Sequence, residues 1–200
     1  MTETNALAFL ASDQPDHTTL DRLHERLVEA ASTEQMLDVA YTTVDSPLGP
    51  LLLAATQAGV VRLAYQVEDH DQVLQSLALK ISPRVLRAPG RLDEAARQLD
   101  AYFAGRRRAF DLPLDLRLSA GFRRQVLNHL RTIGYGHTES YAGVAGAIGR
   151  ARAVRAVGSA CATNPLPLLV PCHRVLRSDG ALGGYVGGLR AKQALLALER

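Results

Sequence analysis

The chain has only two cysteines, Cys161 and Cys172, in 200 residues. Two thiols close one disulfide at most, which excludes a disulfide scaffold. No Cys/His cluster with metal-ligand spacing accompanies them, so neither zinc nor another cofactor is expected. No apolar run approaches the roughly twenty residues of a membrane span. The first residues, Met1 to Asp16, are polar and acidic rather than cationic and then apolar, so they do not read as a secretory leader. A cytoplasmic location is the resulting expectation, with free thiols as its default. Internal repeats and low-complexity tracts are absent. Lysine is nearly missing: of 23 cations only Lys80 and Lys192 are not arginine, the better planar binder of phosphate. Acids thin out as well. Residues 101–200 hold 5 Asp/Glu against 15 Lys/Arg, whereas residues 1–100 hold 15 against 8. The net charge of +3 therefore conceals a strongly basic second half. Such a half favours an anionic partner, nucleic acid first, with a merely solvated basic face as the alternative.

What is present is the composition of an ordinary globular protein, 47% hydrophobic and 22% charged, long enough to bury a real core. Three segments are expected. Residues 1–35 read as an acidic, partly helical extension: Leu20, Leu23, Leu27 and Ala31 follow helical spacing behind a cap at Thr18 or Thr19. Residues 36–112 read as an α+β domain. Strands begin at Val39, return through Leu51–Ala55 after the turn Ser46–Pro50, and continue over Val60–Tyr65. Helices follow over 71–81 and 92–103. The small sheet is expected to be antiparallel, and Gly105–Leu118 reads as a linker. Residues 113–200 read as mostly helical, with helices over 122–133, 141–148, 153–162 and 189–198. The pair 141–148 and 153–162, joined through Gly149, makes a helix-turn-helix.

The chemistry centres on Pro171-Cys172-His173-Arg174-Val175. A thiol is a nucleophile as its thiolate, and a neighbouring imidazole favours that form. Adjacent side chains rarely face each other, so the pair needs a turn or a bridging water. A base also works better when a third group fixes its tautomer. Glu199 could fold back to do so, although periodicity alone makes it a solvated helix end. The helix over 153–162 presents Ala153, Ala156, Gly158, Ser159 and Ala160, side chains too small to read the major groove. With Arg155 it suits the minor groove, as a wedge where a base has left the stack, or else it is a closely packed core helix. Glycines 180, 183, 184, 187 and 188 surround Tyr185 and Val186, in a loop that either offers a ring to a flat ligand or is an ordinary turn before the last helix. Together these features suggest chemistry on a flipped-out base.

Over residues 38–200 the sequence resembles the O6-alkylguanine-DNA alkyltransferases, or methylated-DNA–protein-cysteine methyltransferases. The resemblance lies in Ser140-Tyr141, Arg155-Ala156-Val157-Gly158, Asn164-Pro165, Pro171 to Val175, Gly187-Gly188-Leu189 and Lys192. It implies irreversible, single-use transfer of an alkyl group from guanine O6 in double-stranded DNA to Cys172. His173 would be the water-mediated base, oriented by Glu199, and Asn164 would hold the turn. Tyr141 would assist rotation of the nucleotide, and Arg155, with Ala156 and Gly158, would occupy the minor groove. Val175, Tyr185, Val186 and Lys192 would form or support the guanine pocket. Two positions depart from the family: Val186 replaces a common serine, removing a hydroxyl but not a backbone N–H, and Cys161 stands where a larger apolar residue is common. Cys161 is expected to be a small packing thiol, with a secondary reactive site as the alternative. Neither a membrane nor an obligate protein partner is implied. Three other functions remain: a sensor that flips bases without reacting, a Cys-His hydrolase or acyltransferase, and a transcription regulator.

Overall fold

In this computed structural model residues 16–200 are described; the reading of residues 1–15 as no leader lies outside the described residues. The chain divides into two compact units, one ending at Leu37 and the other running from Asp38 to Arg200. In the first, helix α1 (His17–Thr33) starts at Asp16 rather than at Thr18 or Thr19. Asp16 O accepts from Thr19 N at 2.8 Å, and the Thr18 hydroxyl bonds the Asp16 carboxylate. Its leucines at 20, 23 and 27 are all exposed.

The second unit opens with strands β1 (Val39–Val44), β2 (Leu51–Thr56) and β3 (Gly59–Tyr65), paired antiparallel in sequence order. A short strand β4 (Val85–Arg87) joins the far edge, parallel to β1, so the sheet is antiparallel in its three long strands and mixed at one edge. Residues 83–90 read only as a helix separator in the sequence because prolines flank a strand of three residues. Val39, Leu52, Ala54, Val61 and Ala64 on one face pack with Val73 and Leu77 of helix α2 (His70–Lys80). Asp69 caps this helix, its carboxylate accepting from Asp71 N and Gln72 N. On the other face, Leu51, Leu53, Leu63 and Tyr65 join Ala95, Leu99 and Tyr102 of helix α3 (Asp93–Phe103) and continue into the core of the C-terminal half. Covered on both sides, β2 is buried at every position, which is why it reads as a continuous apolar run rather than an alternating one.

Helices dominate after residue 120: α4 (Gly121–Leu130), α5 (Tyr141–Ala147), α6 (Val154–Ala162) and α7 (Gly188–Leu198). Helix α4 ends three residues before Ile133, its expected end; Thr132 N and Ile133 N instead bond His129 O and Leu130 O in a tight turn. Ser140 caps α5 through a 2.9 Å bond from Gly143 N. A two-stranded parallel ladder, β5 (Glu139–Ser140) with β6 (Val175–Leu176), ties the start of α5 to the residues that follow the Cys-His pair.

The segment 105–118, expected to be a linker, is stitched to the sheet. Leu114 bridges Val60, with Val60 N donating to Pro113 O at 2.9 Å and Asp115 N to Val60 O at 2.8 Å. Asp115 also accepts from the buried Thr56 hydroxyl at 2.6 Å. Its apolar side chains Phe110, Leu112, Leu114 and Leu116 pack on the main core, which charge counting around Arg106-Arg107-Arg108 hides. Gly59 permits this approach: its φ is +132°, and a Cβ there would lie 2.2 Å from Pro113 O. Gly59→Ala should therefore cost about 2 kcal/mol or more. Urea unfolding should show a lower midpoint at unchanged slope; an unshifted midpoint would mean that the two segments are not held this closely.

Candidate active site

Cys172 lies in a single 3-10 turn, Cys172–Arg174, entered through the buried loop from Asn164 to Pro171. Apolar side chains Leu166, Leu168, Leu169 and Val170 anchor that loop, and Leu168 adopts φ +71°, a left-handed conformation that a leucine holds only when its surroundings compel it. Asn164 supplies the polar frame. Its Nδ2 donates to Val170 O at 2.9 Å and to Cys172 Sγ at 3.1 Å, while Oδ1 accepts from Leu166 N at 3.0 Å. One amide thus holds both ends of the loop and contacts the sulfur.

His173, in the same turn, is fully buried within a polar cluster. Its Nε2 lies 2.9 Å from Glu199 Oε1. Arg174 donates to the same carboxylate twice, from Nε to Oε2 and from Nη2 to Oε1, both at 2.8 Å, and the Tyr102 hydroxyl donates to Oε1 at 2.6 Å. Arg174 Nη1 also reaches Ile133 O at 2.5 Å. Helix α7 ends at Leu198 just as Tyr135 takes the Leu198 carbonyl at 2.7 Å, so Glu199 turns inward instead of ending in solvent. Periodicity could not show this. Tyr102, from the first domain, was not anticipated as a site residue; its only signal was a position on the buried face of α3.

These contacts decide protonation. Burial would raise the Glu199 carboxyl, but hydrogen bonds from His173, Arg174 and Tyr102 prevail and bring it down to about 2. An ionised carboxylate only accepts, so His173 Nε2 must carry the proton. Burial lowers the His173 pKa from 6.5, keeping the ring neutral at pH 7. The bare nitrogen is then Nδ1, a buried atom without a protein partner. Burial also pushes the Cys172 thiol up to about 11, against the lowering effects of Asn164 and Lys192. The resting sulfur is a thiol, and its proton must leave as it attacks.

The other expected residues divide between contacts to this centre and the lining of an outer pocket. Lys192, buried and lowered by that burial, donates from Nζ to Val175 O at 2.6 Å and to Leu182 O, bracing the loop. Its Nζ stands 5.9 Å over the Tyr141 ring. The Tyr185 hydroxyl meets that of Tyr65 at 2.8 Å, and its ring packs edge-on to His173 with centroids 6.3 Å apart. Tyr65, from β3, is a second contributor that the sequence reading missed. Gly187 makes room for it, since a Cβ there would come within 2.7 Å of the Tyr65 ring. Helix α6 buries Val157, Ala160 and Cys161 and leaves Arg155 and Ala156 exposed, with open space at Gly158. The small-residue helix is therefore packed on one side and smooth on the other. Tyr141, Arg155, Gly158, Tyr185 and Val186 line an open pocket of about 500 Å³. Burial raises the Tyr141 phenol to about 12, so it remains a donor at neutral pH. Cys161 is free and buried, and burial raises its pKa. Among the described residues no cluster of three His, Cys, Asp or Glu side chains could hold a metal, and no helix is long and apolar enough to cross a membrane.

Glu199→Gln should remove the shared negative charge and turn one acceptor oxygen into a donor, and cost about 3–5 kcal/mol at pH 7, because Arg174 would stay buried without its counter-charge. A carboxyl lowered from 4.5 in the unfolded chain to about 2 in the folded one stabilises fully above pH 4.5 and loses that contribution as pH falls toward 2. Urea unfolding of the wild type should therefore weaken across this window by up to about 3 kcal/mol from this group, and the variant should lack that component. Equal acid limbs in the two proteins would contradict the assignment.

Comparison with known proteins adds an independent line. Residues 39–116 match the 6-O-methylguanine DNA methyltransferase ribonuclease-like domain, and residues 121–200 match the DNA binding domain of the same proteins. A methylated-DNA–protein-cysteine methyltransferase of Mycobacterium tuberculosis is 42% identical over 162 residues, covering 81% of this chain and 93% of that protein. The constitutive methyltransferase of Bacillus subtilis is 41% identical over 164 residues, covering 80% and 94%. Among solved structures, Mycobacterium tuberculosis OGT in complex with DNA superimposes with a TM-score of 0.71 at 42% identity, over 80% of this chain and 92% of that one. Likeness on this scale, in sequence and in fold, through both domains that build the thiol site, makes the chain a member of the methylated-DNA–protein-cysteine methyltransferase family.

Proposed function

We propose that this chain repairs O6-alkylguanine in double-stranded DNA by moving the alkyl group to Cys172, once per protein molecule. DNA repair by alkyl transfer to a cysteine is the activity of its family. The observation that carries the reading for these residues is the Cys172 thiol, held by Asn164, in the same turn as a neutral His173 whose tautomer Glu199 fixes. As Sγ attacks the alkyl carbon, its proton passes to His173 Nδ1 through one water. The new imidazolium is stabilised by the Glu199 carboxylate. The S–C bond forms while the C–O6 bond breaks, and its electron pair leaves on guanine O6, where a donor or proton must meet it. Tyr141 can donate there, as can the Val186 backbone N–H. The product is a thioether, which neither hydrolyses nor exchanges, so the site is used once.

The lesion reaches this buried centre after the nucleotide rotates out of the duplex. Helix α6 enters the minor groove with its smooth face, Ala156 and Gly158 allowing close approach, and Arg155 fills the gap in the stack. The base then sits against Tyr141 and Tyr185. Val175 O keeps a lone pair beyond its bond from Lys192 and can accept from the guanine amino group. The protein acts in the cytoplasm, on DNA, without a cofactor, a membrane or an obligate protein partner.

Two experiments test this. Arg155→Ala should slow repair of an O6-methylguanine duplex roughly ten- to a hundredfold, as lost extrusion energy of one to a few kcal/mol requires. Its reaction with free O6-benzylguanine should change far less, and equal losses on both substrates would refute the wedge role. With O6-benzylguanine, the wild-type rate should be flat between a lower limit below pH 6.5, where His173 gains a proton, and an upper limit near 11, where the thiol ionises unaided. A single rise centred near pH 8.5, the value of an ordinary thiol, would mean that free thiolate attacks without the histidine.

A further inference from the structure

A second cavity, an open cleft of about 650 Å³, lies between α2, the N-terminal end of α4 and the loop after α6. Four cations line it: Arg62, Lys80, Arg117 and Arg123. It meets the lesion pocket at Ala162 and Val186, which border both. We propose that this cleft seats the phosphodiester backbone of the damaged strand beside the rotated nucleotide. The inference rests on the repair function proposed above and extends its DNA contacts into the first domain.

The local charge balance supports an anionic occupant. Arg62 is spent on Glu68, the one carboxylate lining the cleft, and on the carbonyls of Leu63 and Pro165. Arg117 is held by Asp115 at 2.5 Å. Two positive charges are left over. Lys80 is exposed and has no carboxylate partner among the described residues. Arg123 is half-buried, donates to Leu118 O and makes only a long 3.4 Å contact to Thr163 Oγ1. Thr163 closes the C-terminal end of α6, where the helix dipole is negative. An anion at that end therefore needs side-chain cations, and Arg123 stands there. The cleft is open and lined by polar and apolar surface in about equal parts, unlike the enclosed, mainly apolar pockets that hold small ligands, and its continuity with the lesion pocket gives a strand leaving that pocket a direct path along it.

Each phosphate neutralised contributes about 0.9 to the slope of log Kobs against log salt. In a Cys172→Ser background, where binding is separated from reaction, Lys80→Gln and Arg123→Gln should each reduce that slope by about 1 on a lesion-bearing duplex, and together by about 2. Lys80→Arg and Arg123→Lys should restore it, which separates lost charge from lost folding. Unchanged slopes in folded variants would overturn the proposal. So would loss of dGMP binding with the DNA slope intact, which would make the cleft a mononucleotide site. Alkyl transfer by the unmutated chain is measured in parallel: transfer with unchanged slopes removes only the phosphate seat, whereas no transfer at all removes the repair function itself.

Discussion

A single buried carboxylate organises the site. Glu199 accepts from His173, twice from Arg174 and once from Tyr102, so one anion joins the end of α7, the turn that carries Cys172 and a helix of the first domain. Taking a carboxylate out of water is expensive unless donors replace the lost hydration. Here the donors do so, and they also hold the group ionised. Its charge then dictates the histidine tautomer, with the proton on Nε2 and Nδ1 left bare.

The Cys172 environment has the opposite character. Burial holds its proton on, so little thiolate exists at rest, and adventitious electrophiles in water meet an unreactive sulfur. Reactivity appears when a substrate places its carbon against Sγ and the proton has somewhere to go. That economy suits a protein consumed by one reaction, for which a premature reaction is as final as a correct one. Lys192 and Asn164 brace the two loops that form the centre, so the geometry is present before substrate arrives.

Local signals carried much of the fold. The turns at 46–50 and the apolar runs of β2 and β3 marked the long strands, and helical spacing marked α2, α3 and α5 to α7 within a residue or two, while the cap of α1 lies two or three residues before the expected one. What local patterns could not carry were contacts made at a distance. Strand β4 is too short and too proline-flanked to be read, and it exists because β1 offers an edge. Segment 105–118 is ordered by bonds to β3 that its charged composition conceals. Cys172 and His173 stand side by side and were legible from chemistry alone. Glu199 could be raised as a candidate orienting acid, but spacing made it a solvated helix end and only the family resemblance gave it the role. Tyr65 and Tyr102 carried no sequence signal beyond their apolar positions, because their hydroxyl partners, Tyr185 and Glu199, lie 120 and 97 residues away.

The proposed chemistry depends on the protonation of His173. Nitrogen-15 NMR of the imidazole at pH 7, assigned with a His173→Gln variant, reads it directly. The structure requires a neutral ring with its proton on Nε2, coupled to that nitrogen and protected from exchange, and a bare Nδ1. A proton on Nδ1, or a doubly protonated ring at this pH, would leave no acceptor for the Cys172 proton and would contradict the mechanism.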